Sequence, residues 1–238
     1  MTALLTPTKD LRFDISLYTV PEAAWFLGVG RGTLADWAHG YRKERSGAAA
    51  VVGGPIITAF RAERRAPSIP FVGLAEGLVV AAFRRAGVSL QHIRKAVAAL
   101  EREIGLEHAL ASEKLFTDGA SVLYDYAERH RDEREALTHV VTQQRVFTKV
   151  VEDYLQRITY GSDGYPTMLF SPVTERPIVA ADPTCSFGQP MFVTSGARVE
   201  DVLDRWQAGE PLAAVAADFG VPLDDVEDVL RASRAAVV

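Results

Sequence analysis

Apolar residues recur at helical spacing in "YTVPEAAWFLGVGRGTLADW", residues 18–37, and predict two short helices joined by a tight turn. Thr19 and Glu22 have the spacing of a capping box, and Gly28 permits the turn that ends the first helix. The inward positions are Ala23, Ala24 and Leu27 in the first helix and Leu34 and Trp37 in the second. The pattern indicates a helix-turn-helix, although an ordinary helical hairpin has the same apolar positions.

The next segment, "AAAVVGGPIITAFRAERR", has a β-prone run on each side of Gly53-Gly54-Pro55 and predicts a hairpin. A hairpin that follows a helix-turn-helix is a wing, and this one lies among basic residues. They are Arg42, Lys43 and Arg45 before the predicted hairpin and Arg61, Arg64 and Arg65 at its end. We expect them to contact DNA phosphates, while the alternative is a solvated rim of charge with no ligand.

Two longer helices are predicted between residues 71 and 105, and Gly87 separates them. The second has an apolar stripe at helical spacing, formed by Leu90, Ile93, Val97, Leu100 and Ile104. Such a stripe is either buried in the core of one chain or forms the face of a helical dimer.

Residues 109–180 are less regular and predict a small β-rich linker region. "KLFTDGASVLYDY", residues 114–126, has the pattern of a strand, an Asp118-Gly119 turn and a second strand. A short helix is predicted near residues 147–155, and turns are predicted at residues 161–164.

Helical spacing returns in the last segment, where Gly209 and Gly220 separate three short predicted helices. The third contains "PLDDVEDVLR", whose acidic residues favour a helix N-terminus but repel phosphate. We therefore interpret this second helix-turn-helix-like unit as a surface for dimerisation or for a protein partner. The candidate dimerisation residues are Trp206, Val226, Val229 and Leu230.

Together these patterns predict a mainly α fold with small β elements, in the α+β class. The predicted domains are a winged helix-turn-helix at residues 1–108, the β-rich linker region at 109–180 and the helix-turn-helix-like unit at 181–238.

Charge is distributed unevenly along the chain. Residues 1–100 hold 13 Lys and Arg against 7 Asp and Glu, whereas residues 101–238 hold 13 against 24. Phosphate attraction therefore favours the first part for nucleic acid, and the acidic remainder suits a protein partner. The N-terminus lacks the pattern of a signal peptide and no run of 18 apolar residues occurs, so we expect a cytoplasmic chain that does not cross a membrane.

Residue patterns typical of catalysis are missing from the sequence. The five histidines are scattered without metal-ligand spacing, and the single cysteine, Cys185, has no histidine near it in sequence. "GVGRG" follows a helix instead of a strand, which argues against a dinucleotide site. We expect no enzyme activity, no metal and no cofactor.

Two parts of the sequence resemble known protein families. The opening two-helix stretch, the basic hairpin and "FRRAGVSLQHIRKAV" together resemble the winged helix-turn-helix of MerR-type regulators. The C-terminal "FGQPMFVTSGARVEDVLDRWQAGEPLAAVAADFGVPLDDVEDVL" is similar to a small domain found in antitoxins. The combination resembles a VapB-type antitoxin. That resemblance implies a PIN-domain ribonuclease toxin as a partner, operator DNA as a second partner, and a homodimer.

The same resemblance implies the site residues. Arg31, Thr33 and Tyr41 are the expected contacts from the recognition helix and its exit. MerR-like recognition helices usually carry Ser, Thr and Arg where this chain has Gly30, Gly32, Ala35 and Asp36. We therefore expect the flanking basic segments to dominate, so that substituting Arg64 and Arg65 weakens DNA binding more than substituting Arg31. For the toxin, the candidates are Arg231 and Arg234, with Arg64 and Arg65 as alternatives.

Two other functions fit the sequence. The first is a stand-alone MerR-like regulator with a ligand pocket in residues 112–180, lined by aromatic side chains that equally suit a plain core. Those side chains are Phe116, Tyr124, Tyr154 and Tyr160. The second is an interaction protein that no longer binds DNA, which the missing recognition-helix residues favour.

Overall fold

Helices dominate the computed structural model, which describes residues 9–45, 48–63, 65–105, 107–115, 153–154 and 156–235. Within that part of the chain the helices are α1 (Val20–Leu27), α2 (Arg31–His39), α3 (Phe71–Arg85), α4 (Leu90–Ile104), α5 (Val199–Gln207), α6 (Leu212–Asp218) and α7 (Leu223–Ala235). The strands are β1 (Ser16–Tyr18), β2 (Tyr41–Arg45), β3 (Ala48–Gly53), β4 (Ile69–Pro70), β5 (Ile158–Tyr160), β6 (Pro166–Phe170), β7 (Val179–Ala181) and β8 (Met191–Phe192). The predicted α+β class is confirmed.

Helices α1 and α2 form the predicted helix-turn-helix. The capping box is complete, because the Thr19 hydroxyl accepts from the Glu22 backbone N–H while the Glu22 carboxylate accepts from the Thr19 backbone N–H at 2.7 Å. Gly28 ends α1 with a φ of 62°, which only glycine adopts at little cost. Leu34 and Trp37 of α2 are buried beneath α1, as the sequence predicts.

The wing differs from the prediction. The hairpin pairs β2 with β3, so its first strand is the charged "YRKER" segment, and Gly53-Gly54-Pro55 ends the hairpin instead of forming its turn. The predicted second strand has a different role. Ile56 and Ile57 are buried, and both backbone N–H groups donate to the Trp37 carbonyl, at 2.8 and 3.3 Å. The prediction of the wing was wrong for two reasons. The apolar run after Pro55 packs against α2 instead of pairing as a strand, and "YRKER" lacks the apolar alternation that predicts a strand.

The core is centred on α3, in which every residue from Phe71 to Phe83 is buried. Strands β1 and β4 pair beside its N-terminus, and α1, α2 and α4 pack around it. On α4, Ile93 is buried, and Leu90 and Val97 pack against the same core. These three positions of the apolar stripe are therefore core positions. No described helix has the length and apolar character needed to span a membrane.

Strands β5 to β8 form an antiparallel sheet in chain order. The sheet continues across the boundary predicted between residues 180 and 181, since β7 contains Ala181 and pairs with β8. The predicted turn at residues 161–164 is confirmed, with Gly164 at a φ of 76°. Most of the predicted hairpin at residues 114–126 and of the short helix near 147–155 lies outside the described residues; Asp153 and Tyr154 are helical.

Among the described residues, hydrogen bonds tie the C-terminal part to the helix-turn-helix and to strand β1 before it. The Ser171 hydroxyl donates to the Phe26 carbonyl at 2.6 Å, and the Tyr18 hydroxyl donates to the Gly188 carbonyl at 2.8 Å, both buried. The Trp25 indole N–H donates to the Ser233 hydroxyl of α7 at 3.0 Å. One continuous apolar cluster includes residues of α1, α3, the sheet and α5 to α7, so the described parts share a single core.

Candidate nucleic-acid interface and partner surfaces

The N-terminus of α2 is open to a ligand. Gly30 is the N-cap and supplies no side-chain acceptor for the first backbone N–H groups. Arg31, Gly32 and Thr33 on this turn are exposed, whereas Asp36 is only partly exposed. Unsatisfied N–H groups and the positive end of a helix dipole favour a phosphate, and Arg31 adds a full charge beside them. The start of α2 therefore suits phosphate contact better than base contact, because Gly32 has no side chain to reach a base edge.

The wing presents part of the predicted basic set. Arg42 is exposed on β2, and its guanidinium Nε donates to the neighbouring Glu44 carboxylate at 2.9 Å. That pair is solvated, so a phosphate can displace the carboxylate at small cost. Lys43 and Arg45 also lie on β2, and their side chains are outside the described residues.

Tyr41, a predicted DNA contact at the exit of the recognition helix, lies just after α2 as the first residue of β2. Its ring is half-buried at the root of the wing, with the Arg94 guanidinium of α4 5.3 Å from the ring centroid. The same guanidinium donates through Nε to the Gly54 carbonyl at 3.0 Å. Tyr41 and Arg94 therefore brace the wing against α4 through cation–π attraction and a hydrogen bond. Arg94 was not a predicted site residue, because nothing in its helical spacing points to the wing.

The segment after the wing exposes two more cations. Arg61 and Arg65 are exposed, and Arg65 has a φ of 72°, unusual for a residue with a side chain. Neither forms an ion pair with another described residue. Arg64 lies outside the described residues. Arg31, Arg42, Arg61 and Arg65 are thus the predicted cations that the structure places at the surface of the N-terminal part.

A buried polar cluster fixes the start of this segment. Glu76 of α3 is 4% exposed, and its carboxylate accepts from the backbone N–H of Thr58 at 2.5 Å and from the Thr58 hydroxyl at 3.1 Å. His108 Nδ1 lies 3.1 Å from the same carboxylate. This hydrogen bond raises the pKa of His108, against the opposing effect of burial. Glu76 is the one charged residue in the buried part of α3. A single carboxylate within an apolar helical run is visible in the sequence and indicates a buried polar contact.

Ion pairs within the chain neutralise part of the acidic charge at the start of α7. Arg176, in the β6–β7 connection, lies 2.8 Å from carboxylate oxygens of both Asp225 and Asp228. The hydrogen bond with Arg176 lowers the pKa of Asp228 below its ordinary value. Arg231, a predicted toxin contact, pairs with Glu227 at 3.0 Å and also with Asp228. The other predicted contact, Arg234, lies on α7 with its side chain outside the described residues.

The predicted dimerisation residues divide into two groups. Val226 and Val229 are fully buried in the chain's own core, so they cannot contact a second copy in this conformation. Their helical spacing is the same for a core face and a dimer face, which is why the pattern alone did not separate the two. Trp206 and Leu230 are partly exposed.

Comparison with known proteins identifies both parts of the chain. Residues 16–97 match a family model described as "Putative DNA-binding HTH domain", and residues 179–231 match "Protein of unknown function (DUF433)". "Putative antitoxin VapB45" of Mycobacterium tuberculosis is 44% identical over 233 residues, which cover 95% of this chain and 97% of that protein. The chain belongs to the VapB45 antitoxin family.

A crystal structure of Rv2018 from Mycobacterium tuberculosis has the same fold, with a TM-score of 0.72 and 39% identity. The match covers 92% of this chain and all of that one. Membership of the VapB45 family confirms the resemblance to a VapB-type antitoxin, and the first family model confirms an N-terminal helix-turn-helix of a DNA-binding type.

Proposed function

We propose that this chain is the antitoxin of a type II toxin–antitoxin pair, which binds a PIN-domain ribonuclease toxin and represses its own operon by binding operator DNA. The observation that carries the proposal is that a surface of exposed cations and a separate C-terminal helical surface lie on one shared core. Exposed cations lie around the helix-turn-helix, while in the C-terminal three-helix unit Arg176 pairs with two carboxylates, Asp225 and Asp228, at the acidic start of α7. Membership of the VapB45 family supports the same assignment.

The DNA contact is proposed to depend mainly on phosphates. The open N-terminus of α2 and the cations Arg31, Arg42, Arg61 and Arg65 supply charge-assisted donors, whereas Thr33 is the one uncharged polar side chain exposed on the first turn of α2. Phosphate contacts fix position and carry little sequence information. A homodimer would double the contacts, and the resulting gain in affinity compensates for modest base discrimination.

Toxin binding is proposed for the C-terminal part of the chain. Arg231 would have to leave Glu227 and Asp228 to reach a toxin carboxylate. Because the Arg231 side chain is exposed, exchanging its ion pairs within α7 for one with a toxin carboxylate costs little free energy, but the new ion pair also contributes little to affinity. Arg231 is therefore a weaker candidate than the sequence indicates, and an apolar contact is needed to supply most of the affinity.

Two measurements test the proposal separately. Fluorescence anisotropy with the DNA upstream of the gene, between about 50 and 200 mM salt, is expected to show tight binding that weakens steeply with salt. Co-expression with the product of the adjacent reading frame is expected to yield a stable complex in which ribonuclease activity is inhibited. A partner without the carboxylate set of a PIN domain, or a failure to associate, would overturn the toxin assignment.

A ligand-responsive regulator is the second candidate, and one observation favours it. A cavity of about 660 Å³ lies between the wing root and α3 and α4, and Glu76, Arg94 and His108 are among the side chains that line it. This position is N-terminal to the pocket predicted at residues 112–180. A thermal-shift screen against metabolites tests the candidate, since a ligand of the cavity should raise the melting temperature. No stabilisation by any compound would count against it.

A further inference from the structure

The connection between β7 and β8 projects an uncharged tip into solvent. Thr184, Cys185, Ser186 and Phe187 are all exposed, between the buried residues Pro183 and Gly188. We call residues 182–190 the Phe187 loop. The Phe187 side chain is 77% exposed, the largest fraction among the large apolar side chains of the described residues. An exposed phenylalanine contributes almost nothing to the stability of its own chain, because burial is the source of apolar stabilisation.

Hydrogen bonds define the conformation of the loop despite its exposure. The Asp182 carboxylate accepts from the Thr184 backbone N–H at 2.8 Å and from the Thr184 hydroxyl at 2.6 Å. The Gly188 backbone N–H donates to the Cys185 carbonyl at 2.9 Å, which closes the tip, and the Gly188 carbonyl accepts from the buried Tyr18 hydroxyl. A side chain held on such a frame loses little conformational entropy when a partner binds it.

The backbone at the tip is strained. Ser186 and Phe187 have φ values of 47° and 53°, in the left-handed region that disfavours a β-carbon and is an outlier for a bulky residue. Each such residue costs roughly 1 kcal/mol or more relative to glycine or asparagine. Phe187 thus strains the backbone and buries only a small part of its surface within the described structure. A residue that costs stability and gains little in its own chain points to a function in binding.

Charge around the loop indicates what kind of partner fits. Asp182 begins the loop and accepts from Thr184, and the Glu22 carboxylate accepts from the backbone N–H of Thr19, the neighbour of Tyr18, so both carboxylates lie near the foot of the loop. Burial of the Tyr18 hydroxyl raises its pKa, and the negative charges of the two carboxylates raise it further. Neither forms an ion pair with another described residue. An apolar knob with an acidic rim complements an apolar pocket with a basic rim. An enzyme that binds RNA carries basic surface, whereas a second copy of this chain would bring the same acidic rim and repel.

We propose that Phe187 is the apolar anchor through which this chain holds its ribonuclease partner, seated in an apolar pocket that basic side chains border. The inference rests on the proposed function and deepens it by assigning the contact to a side chain. Aromatic anchors at the centre of an interface dominate binding energy, and a rim of charge sets orientation and the rate of association. Arg231 and its neighbours on α7 are not required for this contact.

The test uses Phe187→Asn in the full chain, with the product of the adjacent reading frame as the binding partner. Asparagine tolerates the left-handed backbone, so the variant is expected to fold with an unchanged or higher melting temperature. Its dissociation constant for the partner is expected to rise at least about 30-fold, as for an interface hot spot. Val193→Asn is the matched control, because Val193 is 48% exposed in the same part of the chain and should change affinity by less than about three-fold.

Three results would overturn the inference. The first is partner affinity in Phe187→Asn within about three-fold of the wild type. The second is loss of binding in Phe187→Tyr, which keeps the aromatic ring and is expected to bind nearly as well as the wild type. The third is a wild-type dimer that Phe187→Asn dissociates in light scattering, which would assign the loop to self-association. If the wild-type chain does not bind the partner at all, the proposed function fails and the inference fails with it.

Discussion

At the scale of single residues, a cluster of hydrogen bonds joins Thr58, Glu76 and His108, which come from three separate segments of the chain. The cluster holds the segment after the wing against α3. Sequence spacing cannot predict such a meeting, because the residues are 18 and 32 positions apart from Glu76 and no periodicity relates them.

The Glu76–His108 pair predicts a pH dependence of stability. Because the pKa of His108 is raised in the folded chain, protonation adds stability that is complete below the ordinary pKa of 6.5 and is lost as the pH rises through the raised value. His108→Asn is expected to lower the free energy of unfolding by about 1 to 2 kcal/mol more at pH 6 than at pH 9. Asparagine suits the left-handed backbone at this position, where φ is 56°.

Urea unfolding at both pH values measures the difference. The control is the same substitution in a Glu76→Gln background, where the pH-dependent part of the loss should shrink, because the carboxylate that raises the pKa of His108 most is gone and only the weaker effects of Glu107 and Glu101 remain. An equal loss at pH 6 and pH 9 in the otherwise wild-type chain would show that His108 contributes through packing alone.

At the scale of elements, the sequence predicted helices well and strands poorly. The capping box of Thr19 and Glu22 and the turn at Gly28 are local signals, and the structure follows them closely. The sequence predicted the wing at the wrong residues, because strand β2 is charged and the apolar residues that follow the hairpin, Ile56 and Ile57, are buried against Trp37. Strand pairing depends on what the neighbouring element offers, which a single sequence does not contain.

The arrangement of cations around these elements predicts a ranking in DNA binding. Replacing both Arg61 and Arg65 with alanine is expected to weaken operator binding more than Arg31→Ala does, since two phosphate contacts are lost instead of one. The slope of the logarithm of the binding constant against the logarithm of salt concentration should fall by about 0.9 for each phosphate contact removed. Fluorescence anisotropy over a salt series measures both quantities.

Arg231→Ala is the control for this series, because Arg231 is an exposed arginine paired within α7. It should leave the salt slope unchanged. If Arg31→Ala costs more than the double substitution, or changes the preference for one base, then α2 reads sequence and the flanking cations are secondary.

At the scale of the whole molecule, the two ends of the chain stabilise each other. Residues from the helix-turn-helix, the sheet and the C-terminal helices belong to one apolar cluster. The sequence predicted a winged helix-turn-helix at 1–108, a β-rich linker region at 109–180 and a helix-turn-helix-like unit at 181–238, since helical periodicity is clear in the first and last segments and less regular between them. Periodicity records which face of an element is buried, but it does not record what that face is buried against.

A shared core predicts one cooperative unfolding transition, and Ser171→Ala tests it. The substitution leaves the buried Phe26 carbonyl without its 2.6 Å hydrogen bond and is expected to cost about 1 to 3 kcal/mol. Scanning calorimetry should show a single transition at a lower temperature. Ser162→Ala, at an exposed turn, should change stability by less than about 0.5 kcal/mol. Two separated transitions in either variant would contradict a shared core.

The contact between Tyr18 and Gly188 constrains how the family can vary. Gly188 has a φ of 76°, and a β-carbon at that position would lie 2.6 Å from the Tyr18 hydroxyl oxygen. A mutation that adds a side chain at position 188 is therefore tolerated only if position 18 changes as well. Position 18 lies in the segment that matches the DNA-binding model, and position 188 lies in the segment that matches DUF433. Among relatives the residues at positions 18 and 188 should covary. The two segments are therefore expected to be inherited together and not exchanged separately between proteins.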